Sequence, residues 1–155
     1  MNWKKETVEI RKRRKLAKDQ GGQEAIKLQH AKGRLTLRER IDLLLDKDTF
    51  QEQGEIAGGS EVNEEGKLES VTPANFILGF GKINDKQVVI GGEDFTVKGG
   101  SPNAAGLRKS VYTEELALKY KMPLIRLHEG GGGSVAGPGK KLSLIHISEP
   151  TRPYW

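Results

Sequence analysis

The sequence of 155 residues contains no cysteine. This absence excludes a disulfide framework, a thiolate nucleophile and any metal site built on cysteine. The chain also lacks an apolar run long enough for a transmembrane helix or a signal peptide, so we expect a soluble cytoplasmic protein. Apolar residues make up only 35% and charged residues 30%, which suggests that parts of the chain pack against a surface that it does not itself supply.

The positive charge of the chain is concentrated near its start. The formal net charge is +5, and most of the basic excess lies in about the first forty residues. Trp3 to Lys18 has a helical pattern that stops at Gly21-Gly22. Its arginines and lysines are typical of a solvated helix face, a nucleic-acid contact or a contact with ligand phosphates. No aromatic or recognition motif accompanies them, so we favour the solvated face and expect neither a nucleic-acid nor a membrane partner.

Two further helices are predicted before residue 50. Gln23 to Lys32 forms one, and its His30 has no second histidine or acidic residue at metal-binding spacing, which favours a structural role. The other begins with a capping box, in which Thr36 is the N-cap and Glu39 reaches back to it. Its apolar stripe consists of Leu37, Ile41, Leu44 and Leu45. These helices are predicted to form an arm, residues 1–49, that lies outside the globular core.

The clearest β signal is a hairpin. Ala74 to Ile83 and Gln87 to Glu93 are two apolar strands that flank a short turn, Asn84-Asp85-Lys86. Phe50 to Ile56 is a weaker strand candidate. The polar stretch from Gly58 to Leu68 is predicted to be turn-like.

A strand and a helix are predicted after the hairpin. Phe95 to Val97 continues as strand to Gly99-Gly100, and Ser101 then caps a helix that has Pro102 at its first position. The apolar residues that share one helical face are Ala104, Leu107, Val111 and Leu118. A helix N-terminus favours a phosphate or a carboxylate. The nearby cations, which either support such a site or serve solubility, are Lys98, Arg108 and Lys109.

A short apolar strand leads directly into a glycine-rich loop at Leu124 to Gly139. Pro123 sets the start of a strand of the kind that is usually covered on both faces. The glycines at 130–133 allow main-chain N–H groups to converge on one negative oxygen without any special side chain. The alternative is a flexible linker, which the preceding strand and the following Val135-Ala136 disfavour.

Carboxylates lie near the predicted strand ends. Glu93 and Asp94 are adjacent, so on a strand they point to opposite faces and make a poor general acid–base pair. Strand-end polarity is the better explanation for these two residues and for Glu129.

The end of the sequence has a different character. Leu142 to Arg152, LSLIHISEPTR, resembles the in-frame translation of a transposase sequencing adapter along its whole length. Residues 142–155 are therefore excluded from the fold and from function, and His146 and Glu149 receive no role. The expectation is that the natural chain was cut near Lys141 and continued beyond it.

Three stretches, in this order, resemble one family. HAKGRLTLRERIDLLLDKDTF, from His30 to Phe50, resembles the N-terminal helices of carboxyltransferase subunits of biotin-dependent acyl-CoA carboxylases, the propionyl-CoA carboxylase beta type in particular. GGEDFTVKGGSPNAA, from Gly91 to Ala105, resembles their acyl-CoA signature. LIRLHEGGGGSVAG, from Leu124 to Gly137, resembles the strand and glycine loop that follow. The likeness covers Met1 to Lys141 of a family chain that is several times longer.

This resemblance implies an α/β fold of the crotonase-like type, built from β-β-α units and truncated here. Residues 1–49 would be a helical arm, and residues 50–141 the start of the acyl-CoA carboxyltransferase N-terminal domain. The resemblance also implies acyl-CoA as substrate, biotin carried by a partner domain or subunit, a biotin carboxylase partner, a homo-oligomer and no metal. The fragment is expected to be inactive by itself.

The resemblance assigns roles to individual residues. Gly131 and Gly132 align with a glycine pair that holds the thioester oxygen of the enolate while a carboxyl group moves from carboxybiotin. The run of four glycines differs from the commoner Ser-Gly-Gly-Ala form, so the neighbouring register stays open. The residues that fall where the family shapes its CoA site are Phe95, Gly99, Gly100 and Ser101.

Two other functions remain open at this point. One is a different crotonase-type CoA enzyme, a decarboxylase or a hydratase, because the same fold and oxyanion chemistry serve several reactions. The other is a basic nucleic-acid-binding module, which would show a steep dependence of binding on salt.

Overall fold

The structure, a computed structural model, describes residues 3–129. The helices are α1 (Lys4–Lys18), α2 (Gln23–Ala31), α3 (Leu37–Leu44) and α4 (Ala104–Tyr120), and a short 3₁₀ turn spans Lys98–Gly100. The strands are β1 (Gln51–Gln53), β2 (Gly58–Val62), β3 (Leu68–Pro73), β4 (Phe76–Ile83), β5 (Lys86–Glu93) and β6 (Leu124–Leu127). The main sheet has the order β1-β4-β5-β6, and β2 and β3 form a separate two-stranded sheet.

The predicted hairpin is present as β4 and β5. Its connection is a two-residue turn, Asn84-Asp85, whose φ angles of 49° and 62° are of the kind that tight hairpin turns require. The carboxylate of Asp46 caps this turn by accepting the backbone N–H groups of Asn84 at 3.0 Å and Asp85 at 2.8 Å. Asp46, the second residue after α3, therefore ties that helix to the turn of the hairpin.

Helix α3 covers one face of the main sheet. The predicted capping box is confirmed, because Thr36 Oγ1 accepts from the Glu39 N–H and the Glu39 carboxylate accepts from the Thr36 N–H. The buried residues of this layer are Leu37, Ile41 and Leu45 of the α3 segment and Ile77, Val88 and Ile90 of the hairpin. The expectation that the N-terminal helices lie outside the β-β-α unit is thus wrong for α3, although Leu44 is largely outside the core.

Helix α4 covers the opposite face, but with a different side from the one predicted. Leu116 and Ala117 pack against alternate residues of the hairpin, Phe76, Leu78 and Val89. The predicted inward residues Leu107, Val111 and Leu118 are exposed by 56%, 57% and 82%. Thr113 faces the sheet beside Gly91 of β5. The approach is close there, because a Cβ on Gly91 would lie only 3.1 Å from a methyl group of Thr113.

Helix α1 makes little contact with the rest of the described chain. Of Trp3, Ile10 and Ala17, which recur at heptad spacing, only Ala17 is buried. The helix contacts the β2–β3 sheet, where Lys12 Nζ donates to the Leu68 carbonyl at 3.3 Å, and two of its cations pair with Glu55. That sheet replaces the predicted turn-like stretch. Strand β2 is exposed along its whole length, and β3 is buried only at its two ends, so neither shows the alternation by which a half-buried strand is recognised.

The segment between β5 and α4 also differs from the prediction. Phe95 to Val97 is not a strand, because Asp94 Oδ1 accepts from both the N–H and the hydroxyl of Thr96 and the chain turns away from the sheet. The N-cap of α4 is Asn103 rather than Ser101, and its side chain accepts from the Gly106 N–H at 2.7 Å.

Candidate functional site

Strand β6 carries the chain to one edge of the main sheet. It runs parallel to β5, with Gly92 beside Leu127, so the two strands end together. His128 follows β6 and approaches Glu93, which ends β5, at 3.4 Å between Nδ1 and Oε2 without hydrogen-bond geometry. Carboxyl ends of neighbouring parallel strands are common ligand positions in α/β sheets. Gly131 and Gly132 lie outside the described residues.

The loop after β5 contains the residues predicted to shape a CoA site. Lys98, Gly99 and Gly100 all have left-handed backbone conformations, with φ of 50°, 61° and 72°. The ring of Phe95 lies against Gly100, where a Cβ would be 2.5 Å from a ring carbon. The fold therefore brings Phe95 and Gly100 into contact. Ser101 comes one residue later, and its carbonyl accepts from the side chain of Asn75 at 2.7 Å.

Phe95 lines an open cleft of about 630 Å³ beside the end of β6, which we call the Phe95 cleft. Its lining residues are Gly33, Arg34, Leu35, Arg40, Phe95, His128 and Glu129. Arg40 approaches Glu129 at 3.9 Å between Nη1 and Oε2. Sequence reasoning missed Arg34 and Arg40, because only the packing of α3 on the sheet brings them to this edge.

A second cleft, of about 610 Å³, lies at the N-terminus of α4, and we call it the α4 cleft. Its lining residues are Ala57, Gly58, Gly59, Thr72, Lys98, Asn103, Ala104, Ala105, Arg108 and Lys109. The turn at 98–100 separates the two clefts, since Lys98 lines this one while Gly100 contacts Phe95. A helix N-terminus flanked by Lys98 and Arg108 suits an anion.

Lys109 differs from the other two cations of this cleft. It is 93% buried, since its exposed fraction is 7%, and Nζ donates to the Gly54 carbonyl at 3.2 Å. Burial lowers the pKa of Lys109 to about 8, although the negative charge of Glu52 acts in the opposite direction. Lys109 therefore belongs to the interior, beside the ion pair of Arg38 with Glu52, whose shorter contact is 2.7 Å.

The carboxylates near the strand ends occupy different surroundings. Asp94 is 2% exposed, and burial raises its pKa, opposed by the two hydrogen bonds from Thr96. Glu93, the last residue of β5, approaches His128, whereas Asp94 lies beyond the strand and accepts from Thr96.

His30 has the acidic partner that the sequence pattern did not indicate. Its Nε2 lies 2.9 Å and 3.0 Å from the two carboxylate oxygens of Glu39. The hydrogen bond with His30 is the main reason why the pKa of Glu39 is lowered, followed by the N–H of Thr36. The pair links α2 to the N-cap of α3, which is a structural role.

Residues 3–129 offer neither a cluster of metal ligands nor a membrane-spanning helix. This range holds no cluster of three or more histidine, aspartate or glutamate side chains arranged for a metal ion. None of its helices combines the length and the apolar character needed to cross a bilayer.

The model of the carboxyl transferase domain family matches residues 28–141, which is most of the chain. The chain belongs to this family. The matched range contains both clefts and the segment that leads into the glycine loop.

Known proteins of this family resemble the chain in sequence and structure. A biotin-dependent acetyl-/propionyl-coenzyme A carboxylase beta5 subunit of Mycobacterium tuberculosis is 36% identical over 83% of this chain and 23% of its own. A methylmalonyl-CoA decarboxylase alpha subunit of Veillonella parvula is 31% identical over 74% of this chain and 23% of its own. The transcarboxylase 12S structure with bound methylmalonyl-coenzyme A has a TM-score of 0.71 and 30% identity, over 83% of this chain and 25% of that one.

These comparisons confirm the predicted fold class. The chain has the α/β, crotonase-like fold of the carboxyltransferases, with a β-β-α unit formed by β4, β5 and α4 and helices before it. It spans about a quarter of the length of the relatives that it matches.

Proposed function

We propose that the chain is the N-terminal part of an acyl-CoA carboxyltransferase. Its reaction would add a carboxyl group to the α-carbon of an acyl-CoA thioester. The observation that carries this proposal is the position of Phe95, which contacts Gly100 and shares a cleft with the end of β6. The acyl-CoA signature and the entry to the glycine loop are adjacent there, within a chain whose relatives are acyl-CoA carboxylases and a decarboxylase.

In this proposal the CoA portion of the substrate lies along the turn at 98–100. Lys98 and Arg108 would bind CoA phosphates at the N-terminus of α4, where the helix dipole adds positive potential. Phe95, Gly99, Gly100 and Ser101 would shape the path from the α4 cleft to the Phe95 cleft. Because Gly99 and Gly100 carry no side chain, a thin substrate arm could pass close to the backbone.

The chemical contribution of the chain would come from the loop after β6. Loss of the α-proton converts the thioester to an enolate, whose oxygen becomes negatively charged. The main-chain N–H groups of Gly131 and Gly132 would donate to that oxygen, and such preorganised donors are often the largest single catalytic contribution. Strand β6, which pairs in parallel with β5, supplies the base for a loop with this task.

The carboxyl donor would be carboxybiotin, carried by a partner subunit. The two clefts are lined by charged side chains, which do not suit the uncharged ring of biotin, and we assign neither cleft to it. A biotin carboxylase partner, a homo-oligomeric enzyme and a cytoplasmic location complete the proposal.

Substitution in the glycine loop tests the proposal in the longer protein that contains this chain. Gly132→Pro removes one N–H donor, whereas Gly132→Ala keeps it. With propionyl-CoA as the probe and the biotin-carrying partner present, proline should lower kcat by about 10²–10³ and alanine much less. Affinity for CoA should stay within a few-fold. Equal kcat for both folded variants and wild type would place the donors elsewhere, with Gly130–Gly131 as the next register.

The decarboxylase relative supports a second candidate function, removal of the carboxyl group from a carboxyacyl-CoA. The same oxyanion donors would serve that reaction, because both directions pass through the enolate. Incubation of the longer protein with methylmalonyl-CoA distinguishes the two: release of propionyl-CoA without any carboxylation of propionyl-CoA would favour the decarboxylase.

A further inference from the structure

Asn75 is a buried amide immediately before β4, with an exposed fraction of 2%. We propose that Asn75 is a positioning residue for acyl-CoA binding, because it fixes the loop between β5 and α4 that separates the two clefts. The inference rests on the proposed function and adds to it a residue outside the three family-like stretches.

The contacts of Asn75 reach both ends of this loop. Its backbone carbonyl accepts from the N–H of Asp94 at 2.9 Å, where the chain leaves β5. Its side-chain Nδ2 donates to the Ser101 carbonyl at 2.7 Å, and its Oδ1 accepts from the Asn103 N–H at 3.4 Å. One residue thus holds the segment on either side of the left-handed turn at 98–100.

The first turn of α4 is built around the same side chain. A Cβ on Gly106 would lie 2.0 Å from Asn75 Oδ1, so only glycine leaves room for the amide. The N–H of Gly106 donates to the N-cap side chain of Asn103, whose own N–H donates to Asn75. The helix N-terminus and the loop are therefore positioned as a unit.

The chemistry of the contacts requires an amide. Asn75 donates through one side-chain atom and accepts through the other, which neither a carboxylate nor an apolar side chain of this size can do. Without it the Ser101 carbonyl loses a buried partner, and the turn carrying Lys98, Gly99 and Gly100 is released. The proposed enolate donors follow β6, whereas the hydrogen bonds of Asn75 within residues 3–129 are with the loop between β5 and α4, so binding of the CoA portion should weaken while the chemical step is retained.

The test compares Asn75→Ala with Asn63→Ala in the longer protein that contains this chain. Asn63 is a suitable control, because its side chain also bonds two backbone groups: Oδ1 accepts from the N–H groups of Glu65 and Lys67 in the turn between β2 and β3. With propionyl-CoA as the probe, Asn75→Ala should raise KM about tenfold while kcat stays near wild type. Asn63→Ala should leave both unchanged.

A double variant separates positioning from packing. Asn75→Ala with Gly106→Ala fills the space that the amide vacates, so the double variant should recover Tm, but KM should stay raised because no donor reaches Ser101. Recovery of KM together with Tm would overturn the proposal, as would equal losses in kcat and KM in the folded single variant. If Asn75→Ala fails to fold, the double variant decides alone. A wild-type protein that neither carboxylates nor decarboxylates acyl-CoA would instead refute the proposed function.

Discussion

Helices α3 and α4 lie on opposite faces of one sheet, and both carry an apolar stripe at helical spacing. In α3 the stripe faces the sheet, and Leu37 and Ile41 are each 1% exposed. In α4 the stripe faces away, and Leu118 is 82% exposed. The inner side of α4 instead buries Thr113 completely and most of Lys109.

The difference shows what an apolar stripe does and does not specify. An apolar stripe marks a helix face that is favourable to bury. Which face of the helix actually packs on the sheet also depends on how closely the helix must approach it. Beside Gly91 the approach of α4 is close, so small and self-satisfied polar groups are favoured, as in Thr113, whose hydroxyl donates to the Lys109 carbonyl at 2.6 Å. A larger residue fits where α3 lies over the hairpin.

The largest expected difference between the two stripes is in their contribution to stability. Ile41→Ala should lower the free energy of unfolding of the chain by about 2–5 kcal/mol, because it leaves a cavity in the α3 layer. Leu43 lies on the same helix but is 74% exposed, so Leu43→Ala should change the free energy of unfolding by less than about 0.5 kcal/mol. Urea unfolding followed by circular dichroism measures both values. Similar values for the two variants would show that α3 is not held on the sheet in solution.

The buried polar side of α4 should make the free energy of unfolding depend on pH. Burial lowers the pKa of Lys109 from 10.5 to about 8, so the folded chain releases this proton earlier than the unfolded chain. The unfolded state therefore binds more protons between these values, and stability should rise with pH across this window, by about 3 kcal/mol at most from Lys109. Below pH 8 Lys109 is protonated in both the folded and the unfolded state, so this gain in stability is absent.

Lys109→Met provides the comparison for the pH dependence, because it keeps an unbranched apolar stem without a titrating group. All other titratable groups are common to both proteins, so the difference between the two stability curves isolates Lys109. Curves that stay parallel from pH 7 to pH 10.5 would mean that Lys109 is solvated rather than buried beside Glu52.

The start of α3 should contribute less than its stripe. Thr36→Ala removes the acceptor for the Glu39 N–H and should cost about 1 kcal/mol in the free energy of unfolding. Thr7→Ala is the matched control, since its hydroxyl bonds the Trp3 carbonyl within the exposed helix α1, and it should have almost no effect. Equal costs would show that α1 is as firmly folded as α3.

Local sequence patterns predicted the elements whose causes are local. The capping box at Thr36 and the β4–β5 hairpin each depend on a few neighbouring residues, and both are confirmed, although Lys86 belongs to β5 and the turn is one residue shorter than predicted. The side on which α4 packs, the β2–β3 sheet and the burial of α3 depend on contacts between distant residues. No periodicity within one segment contains that information.

The candidate site follows the same division. Phe95 and Gly100 were predicted from a motif, and the fold brings them into contact. Asn75 and Arg40 lie far from that motif in sequence, so only the paired strands and the packing of α3 bring them near it. The roles of Gly131 and Gly132 remain predictions, since both lie outside the described residues.

The smallest expected effect on stability belongs to the exposed stripe of α4. Leu118→Gln should change the free energy of unfolding by less than about 0.5 kcal/mol, because its side chain has few partners in the described chain. Leu116→Ala, two residues away and 4% exposed, should cost about 2–5 kcal/mol. The exposed apolar residues Leu107, Val111 and Leu118 also favour aggregation. Leu118→Gln should therefore raise the highest concentration at which the chain is still monomeric. Sedimentation velocity measures that concentration. A cost above about 1 kcal/mol for Leu118→Gln would show that this stripe is covered within the isolated chain, and the contrast with α3 would then fail.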